Sequence, residues 1–457
     1  MICGMNIGMS SPGPLDGTYD IVVVGGGPAG CAAAVAAAEG GQRTLLIERT
    51  CSLGGMGTVG LVPAWCPFSD REQQIHRGFA DRILRRSLAS TPHVDPAEVD
   101  WVPISAEALK VIYDDELGRA GVAVRFDTLL VDVKVDAEGA VQALVIADKS
   151  GLHLVQAGVY IDATGDADLV ARSGVATHQG DDAGGELMPA SLCFVLANVE
   201  GFGREPHPAL AIRREDAAGR QLITRIRQDP RFGMIPDDHI CCSWIGPGCL
   251  GFNAGHVFHV DNTDPANVSA AIMQGRRLAQ VYRDGLATYI PEHFGDAVLV
   301  NTGSLLGVRE TRRIIADYEL TLDDYLARRS FPDEIARNAY FVDRHLLSDE
   351  LASCDADNWE DLVHGRHPKY APGESHGIPY RCLCPQALRN VLVAGRCIGT
   401  DRTVNGSVRV MPVCLSTGEA AGCAAALAID TGCDPRALDP SRLRRVLRER
   451  GVFFAGD

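Results

Sequence analysis

The segment Asp20–Glu48 constrains this chain more than any other part of it. Asp20-Ile-Val-Val-Val24 is a short β-branched run with the character of a buried parallel strand. It leads directly into Gly25-Gly-Gly27-Pro-Ala-Gly30. Cys31–Glu39 follows, nearly all alanine and apolar, a composition that favours helix. Gly40-Gly41 ends that helix, and Thr44-Leu-Leu-Ile47 reads as a second strand finishing at Glu48. Strand, helix and strand fit within about 30 residues, the size of a dinucleotide-binding βαβ unit.

Each element of the pattern has a physical role. Gly25 makes the sharp turn off the strand, Gly27 lets backbone N–H groups approach a pyrophosphate, and Gly30 lets the helix pack close to the sheet. The pyrophosphate belongs at the helix N-terminus, where unpaired N–H groups and the helix dipole favour an anion. Glu48, 18 positions after Gly30, stands where a carboxylate accepts from ribose hydroxyls. Gly246-Pro-Gly248-Cys-Leu-Gly251 satisfies the same expression, but Phe252–Val260 alternates like a strand. With no helix to follow, a second nucleotide site is rejected there.

A formal net charge of −16 and the absence of any Lys/Arg block argue against a nucleic-acid partner. No apolar run reaches the roughly 18 residues of a membrane span, the longest candidate being Ala420–Ile429. Met1–Gly17 has no secretory pattern and reads as a disordered leader, so a cytoplasmic location is expected. The 15 cysteines contain no C-x-x-C, and Cys241-Cys242 and Cys382-Leu-Cys384 lack zinc spacing. Free buried thiols and no metal are expected.

Four separated blocks resemble the FAD-dependent oxidoreductase superfamily of glutathione reductase and the fumarate reductase flavoproteins. They are the βαβ unit ending in Glu48-Arg49, the turn Leu53-Gly-Gly-Met56, Tyr160-Ile-Asp-Ala-Thr-Gly-Asp166, and Asn390-Val-Leu-Val-Ala-Gly-Arg396 with Gly406–Pro412 and the small-residue helix after it. Within that superfamily, Gly307-Val-Arg-Glu-Thr-Arg-Arg313, Phe331-Pro-Asp333, His345 and Ile378–Leu383 resemble the bacterial group known only as FAD-dependent oxidoreductases. The resemblance implies FAD as cofactor, held by Gly25, Gly27, Pro28, Ala29, Gly30, Glu48, Arg49, Gly54, Gly55, Met56, Val131, Ala163, Gly165, Asp166, Gly395, Arg396, Val410 and Pro412. Arg396 stands where many relatives have an aspartate on the ribityl chain. Gly57 and Leu61 occupy the neighbourhood of the redox cysteines of disulfide reductases, so dithiol chemistry is not expected. No histidine precedes Arg71, which excludes a histidyl-flavin bond before the glycine turn.

The expected fold class is α/β: a three-layer Rossmann-type FAD-binding domain, parallel sheet plus β-meander, carrying an inserted α+β substrate domain. Residues 18–178 and 376–435 form the cofactor part, 179–375 the insertion, and 436–457 a C-terminal helix and tail. Arg309 and Arg381 are candidates for anchoring a substrate oxygen or carboxylate, and Tyr380 for donating a proton. His256 and His259 lie three apart on a strand and so face opposite sides, leaving at most one as a base. The expected activity is hydride transfer between a small organic substrate and flavin N5, in the direction of dehydrogenation, with an external electron acceptor. A nicotinamide-fed reductase or monooxygenase, and a non-catalytic electron-relay subunit, are the alternatives.

Overall fold

The computed structural model describes residues 13–15, 17–180, 185–201, 221–352 and 367–456. Ile21–Val24 is the middle strand of a five-stranded parallel sheet in the order Val391–Val393, Val159–Asp162, Ile21–Val24, Thr44–Ile47, Ala123–Arg125. The inner strands are buried on both faces, which is why their sequences are continuous apolar runs and not alternating ones. Val24 pairs with Ile47 on one side and Asp162 on the other, and Val393 with Asp162. These strands therefore end level. The turns after them gather beyond one edge of the sheet, where open α/β folds bind their ligands.

Two helices with small side chains, Pro28–Glu39 and Met411–Thr431, lie backbone against backbone. A Cβ added at Gly418 would stand 2.1 Å from the Ala29 carbonyl oxygen, and one at Gly422 would stand 2.2 Å from that of Ala33. At those two positions only glycine permits this approach. Met411–Thr431 is the one described helix long and apolar enough to cross a membrane, but 89% of its most apolar stretch is buried inside the fold.

The meander Leu129–Val135, Val141–Asp148 and Gly151–Val155 contributes Leu130, Val133, Leu144, Ile146 and Val155 to the same core. Gly13 and Pro14, expected within a disordered leader, instead pair in parallel with His153 and Leu154. Main-chain hydrogen bonding orders them where side-chain composition gave no signal. Residues 1–12 and 16 lie outside the described residues.

The inserted segment builds a second sheet in the order Ile240–Gly246, Cys249–Ala254, Phe194–Ala197, Val298–Thr302. Its own core joins Phe194 and Phe252, whose rings stack at 4.8 Å, to Tyr282 and Ile226. Gly246–Gly251, the rejected second glycine pattern, spans a hairpin turn and the strand after it, with no helix. A long helix runs over Pro265–Tyr289, where the Asp264 side chain accepts from the Ala266 N–H, a cap worth about 1 kcal/mol. Leu222–Gln228 is helical. The C-terminal helix Pro440–Glu449 buries Leu443 and Leu447, and Arg450 beyond it pairs with Glu39 and Glu419.

Candidate active site

A cavity of about 1280 Å³ opens beyond the carboxyl ends of the parallel strands and extends to the inserted sheet. Single-ligand pockets are usually about 300–1,000 Å³, so this one has room for a large cofactor and a small substrate together.

The glycine end is built for an anion. Gly25 turns at φ +99, where a Cβ would be 2.5 Å from the Ala163 carbonyl oxygen. Gly30 lies so close to Gly25 that a Cβ would be 1.7 Å from its carbonyl oxygen. Gly27, by contrast, faces open space: its added Cβ meets nothing within 4 Å. It is also the N-cap of Pro28–Glu39 and has no capping side chain, leaving the first N–H groups available. The Glu48 carboxylate accepts from the Gly26 N–H at 2.6 Å and from the Thr50 N–H at 2.7 Å, which fixes it at the end of its strand. Val410 caps Met411–Thr431, again without a side-chain bond, so a second helix N-terminus points its backbone donors at the cavity.

Of the cofactor residues expected from sequence, Gly25, Gly27, Pro28, Ala29, Glu48, Arg49, Gly55, Met56, Ala163, Gly165, Asp166, Gly395, Arg396 and Val410 line this cavity. Gly30, Gly54, Val131 and Pro412 do not. Gly30 is held against the Gly25 backbone and Gly54 against the Thr58 and Tyr113 side chains, Val131 is 41% exposed, and its neighbours Leu129 and Leu130 line the wall instead. Arg396 is fully engaged: it donates to the Gly165 carbonyl, the Val308 carbonyl and the Asp166 carboxylate. Asp166 also accepts from Thr311 and Asn262, tying the cofactor turn to the inserted segment.

The other end is lined by histidine and arginine. His256 donates from Nδ1 to Asp237 at 2.5 Å, and its Nε2 stands 2.9 Å from Nδ1 of His345. Nε2 of His345 stands 3.5 Å from Asp343. His239 lies alongside, its ring near-parallel to His256 at 4.4 Å. The ligand atoms of these three rings lie within 4.8 Å of one another, and the charges of Arg309 and Asp343 both act on His345. Burial first, then the Arg309 charge, pushes His345 down to about 3, and burial lowers His256 as well. Burial alone would raise Asp343, yet His345, Arg409 and Arg309 together hold it well below the carboxylate range.

The five catalytic candidates from sequence separate cleanly. Arg309 and His256 line the cavity. Arg381 lies elsewhere, paired with Asp333 at 2.9 Å and 45% exposed. Tyr380 is buried and donates to the Pro435 carbonyl. His259 is exposed beside Glu186, beyond the end of the strand His256–Val257 in a bend at φ +58, so the turn and not strand alternation separates it from His256. Sequence reasoning missed Asp237, His239, Asp343 and Arg409 and used His345 only as a family marker. Asp343-Arg-His345 and the Arg409 inside Gly406–Pro412 were the available signals.

This glycine cradle, with its two uncapped helix N-termini and fixed acidic residue, fits a dinucleotide cofactor. The chain belongs to the FAD dependent oxidoreductase family, whose sequence model matches residues 20–447. It is therefore an FAD-dependent oxidoreductase, with a Rossmann-type FAD-binding domain. A thiamine thiazole synthase from Methanococcus vannielii is 32% identical over 163 residues, a match spanning 33% of this chain and 58% of that protein. Among solved structures, a geranylgeranyl bacteriochlorophyll reductase-like protein from Thermoplasma acidophilum is similar at 14% identity and a TM-score of 0.44, over 95% of this chain and 84% of that one. The p-nitrophenol 4-monooxygenase of Pseudomonas putida is similar at 13% identity and 0.46, over 94% and 86%. The reaction has to be argued from this chain's own residues.

Proposed function

We propose that this enzyme is a dehydrogenase acting on a small organic substrate at a C–O, C–N or C–C bond. Bound FAD supplies the hydride acceptor, at flavin N5. The observation that carries this reading is that one cavity joins the glycine cradle to a buried imidazole chain with space for one more proton. Asp237, His256, His345 and Asp343 present three successive gaps, and each needs one proton to be a hydrogen bond. Two neutral imidazoles carry only two N–H groups. The Asp237 contact claims one of them at His256 Nδ1. The other, on His345, serves either the His256 gap or the Asp343 gap. A third proton therefore enters a chain in which every nitrogen already faces an acceptor, as a general base requires.

Arg309, at the same end, anchors the substrate oxygen, and an external electron acceptor completes the cycle. The test is an anaerobic visible spectrum of the holoenzyme before and after adding NADH, NADPH and then a panel of hydroxy- and amino-compounds. Bleaching by an organic donor, with no response to either nicotinamide, is expected. Bleaching by nicotinamide alone, or colour that survives every donor, overturns the reading.

A further inference from the structure

Arg309 is unusual among the charged groups of the cavity: it is 95% buried yet has no carboxylate within ion-pair range among the described residues. Its guanidinium donates from one terminal nitrogen to the Pro189 carbonyl at 2.7 Å and to the Ser191 hydroxyl at 3.1 Å. The other terminal nitrogen makes only a 3.4 Å contact with the side-chain Oδ1 of Asn253. All three acceptors are neutral. The acidic residues close to it in sequence serve other cations: Glu310 pairs with Arg313 and Arg402, and Asp317 with Arg436. Asp343 pairs with Arg409, whose Nε is nonetheless buried without an acceptor. A buried charge with only neutral partners costs free energy that a countercharge would return. Asp343, the carboxylate whose charge acts on Arg309, is itself paired with Arg409, so no described carboxylate contacts Arg309 directly.

We infer that the substrate carries a carboxylate, bound by Arg309 and Arg409 at the histidine end of the cavity. This rests on the dehydrogenase reading above. The planar fork of a guanidinium matches a carboxylate bidentately, and the orphan Nε of Arg409 offers a further donor. Charge balance selects a monoanion. Arg309 and Arg409 offset Asp237 and Asp343, so a bound carboxylate leaves one negative charge in the chamber. Substrate oxidation sends a hydride, with its two electrons and negative charge, to the flavin and a proton to the His256–His345 pair, and that proton offsets the carboxylate within the chamber. A phosphate dianion would leave the chamber one charge further out of balance. The same arrangement couples binding to base strength: Arg309 is one cause of the depressed basicity of His345, and an anion on Arg309 cancels that push.

The test is calorimetric titration of the FAD-loaded enzyme, together with the visible difference spectrum. The probes are acetate, benzoate, the neutral isostere benzamide, and inorganic phosphate. Acetate and benzoate are expected to bind, with benzamide at least about 30-fold weaker than benzoate, the lower bound for removing one partner of a buried charge pair. Arg309→Gln should weaken benzoate by at least about 30-fold at unchanged flavin content, and Arg309→Lys should fall between, because it keeps the charge but loses the fork. Equal affinity for benzamide, no binding of either carboxylate, phosphate binding tighter than both, or undiminished benzoate binding by folded Arg309→Gln overturns the inference. The wild-type panel decides even if the variants do not fold. Bleaching by an uncharged donor without carboxylate binding sinks this inference alone, whereas carboxylate binding with a flavin no donor reduces sinks dehydrogenation alone.

Discussion

Gly27 and Gly30 belong to one motif but do different physical work, and substituting each by alanine separates cofactor binding from folding. At Gly30 the added Cβ would lie 1.7 Å from the Gly25 carbonyl oxygen and 2.9 Å from its carbonyl carbon. Both are backbone atoms, so the helix Pro28–Glu39 has to move off the strand. Overpacking of that kind costs about 1–3 kcal/mol or more, and the same helix is wedged against Met411–Thr431 through Ala29 and Gly418. At Gly27 the backbone angles, φ −69 and ψ −177, suit any residue, and the Cβ would point into the cavity. Gly27→Ala should leave the cofactor-free fold intact, or stabilise it by the roughly 0.4–1 kcal/mol that a compatible Gly→Ala change returns through the unfolded state.

The cofactor is where Gly27→Ala should fail. A methyl group in the cradle keeps a pyrophosphate from the helix N-terminus and removes at least one hydrogen bond to a charged oxygen, worth about 1.5–3 kcal/mol. At 1.36 kcal/mol per factor of ten, that is a loss of about 10- to 150-fold in FAD affinity. The measurement is FAD titration of the apoprotein by flavin fluorescence, with thermal melts of both apo-variants by circular dichroism. Wild-type FAD affinity in Gly27→Ala refutes the placement of the pyrophosphate. A wild-type melt for Gly30→Ala refutes the packing argument.

Three further outcomes follow from the same structure. Arg381→Ala should leave FAD affinity and flavin reduction unchanged and cost under about 1 kcal/mol in a denaturant melt, because the Asp333 pair it removes is half exposed. Peptide mapping after acid precipitation should find no flavin bonded to Cys66, Cys193 or Cys414, three of the five thiols that line the cavity: burial pushes each up to about 12, which makes them poor nucleophiles for a covalent bond. His76, buried against Ser416, is pushed down to about 3 by burial. Below pH 6.5 the unfolded chain takes up a proton there that the folded chain refuses, so its stabilising contribution is complete above pH 6.5 and is lost as pH falls towards 3. His76→Gln should therefore abolish about 2 kcal/mol of the stability lost between pH 6.5 and 5, read from urea melts at the two pH values.

The cofactor half was legible because its determinants are local. Strand, glycine turn, helix and acid follow one another over Asp20–Glu48, so their spacing carries geometry, and even the false match at Gly246–Gly251 was exposed by the missing helix. The substrate half is not written that way. Asp237, His256 and His345 reach one another across 108 residues, from the segments flanking two inserted strands and from the loop after Glu334–Asn338. His256 and His259 were read as sharing a strand, but the strand stops at Val257 and the chain turns at His259, which their spacing does not show. Arg381 looked equivalent to Arg309 from sequence. What divides them is whether a carboxylate is in contact: Asp333, 48 residues upstream, pairs with Arg381, and no carboxylate among the described residues pairs with Arg309.

The position of Arg309 also bears on how an acidic protein handles anionic ligands. With a formal net charge of −16, the chain repels FAD phosphates and a carboxylate at long range. That repulsion is screened beyond about 8 Å at physiological ionic strength, whereas a charge inside the cavity is screened far less. Selection of an anion is thus decided by the few groups within hydrogen-bonding distance. At the cradle these are uncapped backbone donors, which bind phosphate without adding a formal charge. At the other end they are two guanidinium groups balanced by Asp237 and Asp343. Neutralising either aspartate should therefore strengthen carboxylate binding while removing an orienting partner of the histidine pair. Asp343→Asn is the sharper case, because it also frees Arg409. The expected signature is tighter benzoate binding with slower flavin reduction, and a variant in which both fall together would show that Asp343 serves only to hold the chamber's shape.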